Sequence, residues 1–120
     1  MKRKIKIGRI KYNIKRVDNI KGIKKRKQKG ETVGMIKPKI KTILIKKKGK
    51  IIEKETLFHE IAHGFCIELA NASFSAYDRA KTQKRKADFK RYANVFCKLN
   101  QDEGFVEYFG HQLNKTFKLR

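Results

Sequence analysis

Ile and Lys alternate at the start of the chain, with Ile5 and Ile7 on one face, and the phase then shifts so that Ile10, Tyr12 and Ile14 share a face. Gly8-Arg9 separates the two runs. Gly at the first central position of a two-residue turn supplies the positive φ of a type II′ turn, so a β-hairpin is predicted over about 2–7 and 10–17. Asp18 to Gly30 is polar, contains Gly22, Gly30 and the run Lys24-Lys25-Arg26-Lys27, and predicts a loop. Val33 to Ile36 predicts a short strand, and beyond Pro38 the apolar stretch in Ile40 to Lys46 predicts another. From Ile51 or Ile52 the period changes. Leu57, Phe58, Ile61, Ala62, Phe65 and Leu69 recur at helical spacing, giving a helix to about Ala70, with Glu53 and Glu55 favourable near its N-terminus. Asn71 to Ser75 reads as a loop of small polar residues. Phe89, Tyr92, Val95, Phe96 and Leu99 predict a second helix over about 84–99. Asn100-Gln101-Asp102 can cap a third helix, whose inward stripe is Phe105, Val106, Phe109, Leu113 and Phe117. The pattern is therefore α+β: a small antiparallel or mixed N-terminal sheet of three or four strands, packed on one helix and followed by two more. At 120 residues a single domain over 1–120 is expected, with a basic β part (1–50) and a helical part (51–120).

The first predicted helix carries His59-Glu60-Ile61-Ala62-His63, a His-Glu-x-x-His motif. A spacing of four puts both imidazoles on one helix face, one turn apart, where they can share a metal ion while Glu60 reaches a water activated by it. Helical histidines more often merely cap or solvate. Here the apolar stripe makes this a core helix, and a buried imidazole pair beside a carboxylate is costly unless partners, such as a metal, satisfy it. A catalytic zinc ion takes three protein ligands and keeps one position open, so the two histidines need a third residue. The metzincin extension fails, because Cys66 and Leu69 stand where that pattern needs Gly and a third His. Asp102, Glu103, Glu107 and His111 remain, all on or at the edge of the third predicted helix. Cys66 is a weaker candidate, since a buried free Cys commonly serves as a small apolar residue.

Composition adds a second signal. The formal charge is +22, and residues 1–50 hold 21 Lys and Arg against Asp18 and Glu31, a net of +19; residues 51–120 hold 12 against 9, a net of +3. A field of this kind attracts polyanions through counterion release, so a non-specific nucleic-acid partner for residues 1–50 is one expectation. A coding bias toward Lys and Ile explains the same composition. Cys66 and Cys97 lack the spacing of a disulfide framework or a Cys-x-x-Cys site, which suits a reducing compartment. The first residues build no apolar run, and nothing approaches the ~20 apolar residues of a membrane span, so a soluble, intracellular protein without a membrane partner is expected.

Thr56-Leu57-Phe58-His59-Glu60-Ile61-Ala62-His63, preceded by a Lys- and Ile-rich strand region, resembles the small phage and bacterial metallopeptidases of the ImmA/IrrE kind, within the gluzincin group. That family carries Glu-x-x-Ala-Asn-x-Phe-Ala on a later helix, and this chain reads Glu103-Gly104-Phe105-Val106-Glu107-Tyr108-Phe109-Gly110. The resemblance puts Glu103 on the third ligand and Val106, Phe109 and Gly110 on packing positions, with Glu107 where the family has Asn. It implies a zinc (Zn2+) metallopeptidase of a bacterial cytoplasm or a phage virion, with His59, His63 and Glu103 on the metal and Glu60 as general base. Tyr77, Tyr92, Tyr108 and His111 are the candidates for an oxyanion donor. The strand at 40–46 would be the sheet edge that takes an extended protein or peptide substrate, and its lysines would favour acidic ones. The competing expectation is a basic nucleic-acid-binding or virion-associated protein on the same scaffold with little or no proteolysis. The DNA-associated SprT-like zincins combine the two properties, but their third His has a counterpart here only in His111.

Overall fold

The computed structural model of the chain describes residues 4–20 and 32–117. The hairpin forms as its pattern predicts. Strands β1 (Lys4–Ile7) and β2 (Ile10–Val17) pair antiparallel with Ile7 opposite Ile10, and Gly8 takes a φ of 64°, which glycine adopts without a Cβ penalty. Ile7, Tyr12 and Ile14 are buried while Lys4, Lys6, Lys11 and Lys15 face solvent. The polar stretch expected to loop over 18–30 falls, from residue 21 onward, outside the described residues.

Strands β3 (Gly34–Lys37) and β4 (Thr42–Lys46) complete a mixed sheet of order β1-β2-β4-β3, with β4 parallel to β2 and antiparallel to β3. β4 begins two residues later than its apolar run suggests, because Pro38–Ile40 forms a 3-10 turn and Lys41 takes a left-handed φ of 50°. Proline offers no N–H to a ladder, which favours a turn at this point. One expectation is corrected here. β4 is hydrogen-bonded on both sides and is not the sheet edge; Thr42, Ile43 and Ile45 are buried, as befits a central strand. β3, short and opening on Gly34, is the edge strand on this side.

Helix α1 (Lys50–Arg79) has 30 residues and so is about 45 Å long. The loop expected at 71–75 does not form. That stretch holds neither Gly nor Pro, and the Ser73 hydroxyl donates to the Leu69 carbonyl (2.9 Å), so it bonds within the helix instead of diverting the chain. The first half of α1 buries Leu57, Phe58, Ile61 and Ala62 against Ile7, Tyr12, Ile14, Ile43 and Ile45 of the sheet. Beyond Cys66 only Ala70 of α1 is buried, and the last turns pair with helix α2 (Gln83–Gln101). Helix α3 (Glu103–Thr116) crosses the first half of α1 and adds Val106 and Leu113 to the core, with Phe105 and Phe109 packed beside them. Phe117 was expected on this inward stripe; it follows the last helical turn and is 54% exposed. Among the described residues no helix is long and apolar enough to cross a membrane.

The start of α1 is fixed by a buried carboxylate. Gly49, with a φ of 95°, provides no side-chain cap; Glu53 reaches back instead and accepts the backbone N–H groups of Lys48 (3.2 Å) and Gly49 (2.8 Å). Arg16 of β2 donates to the same carboxylate through Nε and Nη2, tying the helix to the sheet. Hydrogen bonding from Arg16 outweighs desolvation and, with those two amides, holds the Glu53 carboxyl down to about 2 against an ordinary 4.5. A carboxyl group depressed on folding stabilises the protein above its unfolded value, and that contribution is lost as pH falls from about 4.5 toward 2. Glu53→Gln is therefore expected to lower the urea midpoint by a constant amount above pH 5 and by progressively less below it. An equal deficit at pH 3 and pH 7 would contradict this account.

Candidate metal centre

Phe58, Ile61 and Ala62 turn into the core, which leaves His59 and His63 on the flank of α1 beneath α3. Gly110 sets how closely that helix approaches. A Cβ at this position would lie 3.0 Å from the His59 Cα and 3.1 Å from both the His59 nitrogen and the Phe58 carbonyl oxygen. These are backbone atoms of a packed helix and cannot swing aside, so only glycine fits the crossing without a shift. Two turns earlier on α3, Glu103 then stands over the histidines.

His59 Nε2 lies 3.4 Å from Glu103 Oε2, and His63 Nε2 lies 3.6 Å from Glu103 Oε1. The imidazole rings meet edge to face with centroids 5.1 Å apart. The donor atoms of His59, His63 and Glu103 all fall within 4.8 Å of one another, so this group can hold a metal ion. The spacing fits one. Two ligand atoms each about 2.1 Å from a tetrahedral ion are about 3.4 Å apart, whereas an N–H···O bond of the usual kind would be about 2.9 Å.

The third helix of the site contributes by hydrogen bonding. His63 Nδ1 lies 2.8 Å from Oδ1 of Asn100, at the end of α2. An amide oxygen there accepts a hydrogen bond from Nδ1–H, so Nε2 keeps its lone pair and points it toward Glu103. Burial, with a smaller contribution from the neighbouring His63 ring, pushes the His59 imidazole below its ordinary value against the opposing pull of Glu103 and Glu107. This direction favours the neutral ring, the form that ligates metal. Asn100→Leu, which keeps the size but removes the acceptor, is expected to weaken metal binding by about 10–100-fold in a chelator competition. Asn100→Asp restores the acceptor and should recover it. Equal affinity of the Leu variant and the wild type would show that Asn100 does not orient His63.

An open cleft of about 430 Å³ adjoins the group, between the β3 edge, α1 and α3. His59 and Glu60 form part of its wall, with Gly34 of β3 and Glu107 and His111 of α3. Glu60 is only 7% exposed. A Cβ on Gly34 would come within 2.4 Å of the Thr56 methyl group and 3.2 Å of Glu60 Oε2, so the edge strand closes directly over this carboxylate.

The candidate third ligands separate accordingly. Glu103 joins both histidines. Glu107 and His111 are exposed and line the cleft without belonging to the group, and Asp102 is used as the cap of α3, accepting the Phe105 N–H at 3.0 Å. Cys66 is buried, its thiol pushed up by desolvation, and it also lies outside the group. The sequence reading missed Asn100 and Gly34. A glycine within a short strand does signal a close backbone approach, and for Gly34 that signal was available. Nothing in the local sequence marks Asn100, which meets His63 across 37 residues. No protein-family model, curated protein or solved structure matches the chain.

Proposed function

We propose that the chain is a zinc-dependent peptidase. The observation that supports this most is the convergence of His59, His63 and Glu103 at the spacing of metal ligands, with Glu60 buried on the same helix at the wall of an open cleft. His59, His63 and Glu103 hold the ion. When bound, zinc lowers the pKa of a water and polarises a peptide carbonyl as a Lewis acid.

The remaining chemistry belongs to the chain's own residues. Glu60 accepts the proton of the attacking water and hands it to the leaving amine, a role for which its partial enclosure beneath Gly34 holds the carboxylate in one place. The β3 edge, unpaired among the described residues, takes the extended substrate by main-chain pairing in place of β4. Of the four residues considered as oxyanion donors, His111 lines the cleft, whereas Tyr77, Tyr92 and Tyr108 do not. His111 donates to the developing oxyanion. The substrate preference is the reverse of that suggested by the strand lysines. Among the described residues Glu55, Glu60 and Glu107 line the cleft and no Lys or Arg does. That lining favours peptides with cationic side chains beside the cleaved bond.

Incubation of the zinc-loaded protein with a mixed peptide library, read by mass spectrometry, tests this function. Cleavage sites should be enriched in flanking Lys and Arg, disappear with a chelator and return with zinc. His111→Gln is expected to lower kcat by about 10²–10³-fold with little change in KM. No chelator-sensitive cleavage of any peptide would refute the enzymatic reading.

A further inference from the structure

The basic residues of the first half were the expected contact for nucleic acid, yet the strongest local concentration of charge in the helical half lies elsewhere. Residues 79–91, where α1 ends and α2 begins, hold Arg79, Lys81, Lys84, Arg85, Lys86, Lys90 and Arg91 against Asp88 alone, a net of +6. The rest of residues 51–120 therefore sums to −3, since that half as a whole carries +3. Of these seven cations only Arg91 makes an ion pair among the described residues, with Asp88 at 3.3 Å. Like charges gathered on one turn repel one another, and among the described residues only the Asp88–Arg91 pair offsets them.

Aromatic rings are interleaved with the charges. The Arg85 guanidinium lies 5.5 Å from the Phe89 ring centre, Arg91 lies 5.4 Å from that of Tyr92, and Lys86 lies 4.8 Å from that of Tyr77. Tyr92 is 43% exposed and meets Phe89 edge to face. Between the two helices an open recess of about 380 Å³ is lined by Arg79, Lys81, Arg85 and Phe89 together with Ala76 and Ala80. Cations of this recess can grip phosphate while an aromatic face accepts a base. The lysines of β1 and β2 offer only the first of these, because Tyr12, the one aromatic residue of positions 1–50, is fully buried. The recess lies about 24 Å along α1 from His63, well outside the cleft.

We propose that this helical tip binds single-stranded nucleic acid, with Arg79, Lys81 and Arg85 on the phosphates and Phe89 as the stacking surface. Duplex DNA would satisfy the charges but keeps its bases stacked within the helix, out of reach of the aromatic side chains. The interaction does not depend on the metal centre, so it stands or falls separately from the peptidase reading.

Fluorescence polarisation with a labelled dT20 oligonucleotide, from 50 to 200 mM salt, tests the proposal. The triple variant Arg79→Gln, Lys81→Gln, Arg85→Gln should bind at least ~10-fold more weakly at low salt, and the slope of log K against log salt should fall by about two, near 0.7 per lost phosphate contact. Phe89→Leu, which keeps an apolar side chain between the helices, should cost several-fold in affinity with the slope unchanged. The triple variant Lys4→Gln, Lys6→Gln, Lys11→Gln should lose less than the tip variant, and wild type should bind a 20-base-pair duplex more weakly than dT20. Undetectable binding of dT20, an unaffected tip variant, an equal loss from the sheet variant, an unchanged Phe89→Leu, or a preference for the duplex would each overturn it.

Discussion

Glu60→Gln is expected to reduce peptide hydrolysis by roughly 10³-fold while leaving zinc affinity unchanged. The substitution is isosteric, which matters because the carboxylate is 7% exposed and the Gly34 backbone closes over it, so a smaller or larger residue would repack the wall of the cleft. An amide cannot accept the proton of an attacking water. His59, His63 and Glu103, the proposed ligands, and Asn100 beside them are untouched, so an ion bound there should remain. Paired measurements of metal content and turnover separate the outcomes. Retained metal with lost activity supports Glu60 as general base, whereas retained metal with activity within about tenfold of wild type would remove it from the mechanism.

Glu103→Gln and Glu107→Gln should behave very differently although the two residues stand one helical turn apart. Glu103 belongs to the group with both histidines, at 3.4 and 3.6 Å; Glu107 does not, and acts on His59 only through space. Losing one of three ligands should exceed the loss from removing an orienting partner, so Glu103→Gln is expected to weaken zinc by more than ~100-fold. Glu107→Gln should change zinc affinity little and raise KM for peptides carrying Lys or Arg. The alternative for Glu103 is a carboxylate that merely favours the N-terminus of α3, an effect of about 0.3–1 kcal/mol. In that case Glu103→Gln would lower Tm slightly and leave zinc binding intact. Reversal of the two variants in a zinc titration would transfer the ligand role to Glu107.

Short-range pattern was a good guide to the elements of this chain and a poor guide to what joins them. The hairpin was legible because Gly8 and the phase change at Ile10 are local, and α3 because Asp102 and the Val106–Leu113 stripe are local too. Helix α1 was cut short because Asn71 to Ser75 is polar, and a polar composition does not end a helix that keeps its hydrogen bonds and has α2 beside it. The role of β4 was misjudged for a different reason: which strand is the sheet edge depends on pairing between β2 and β4, and such pairing leaves no local mark beyond the burial of Thr42, Ile43 and Ile45.

The site divides along the same line. His59, Glu60 and His63 form a contiguous motif whose helical spacing states its geometry. Glu103 required a crossing of two helices, and the sequence alone left it among four candidates. Gly110 makes that crossing close enough, and Asn100 reaches His63 from a third helix; both are consequences of packing between elements distant in the chain. The lysines of β4 are not among the described residues that line the cleft, whereas the carboxylates Glu55 and Glu107 are.

Zinc content is the measurement closest to the central claim. Protein incubated with excess zinc, desalted and analysed by inductively coupled plasma mass spectrometry should hold about one ion per chain, and Glu103→Gln treated identically should hold almost none. Wild type with less than about a tenth of an equivalent, or a His59→Ala variant with as much zinc as wild type, would contradict a metal centre built from His59, His63 and Glu103.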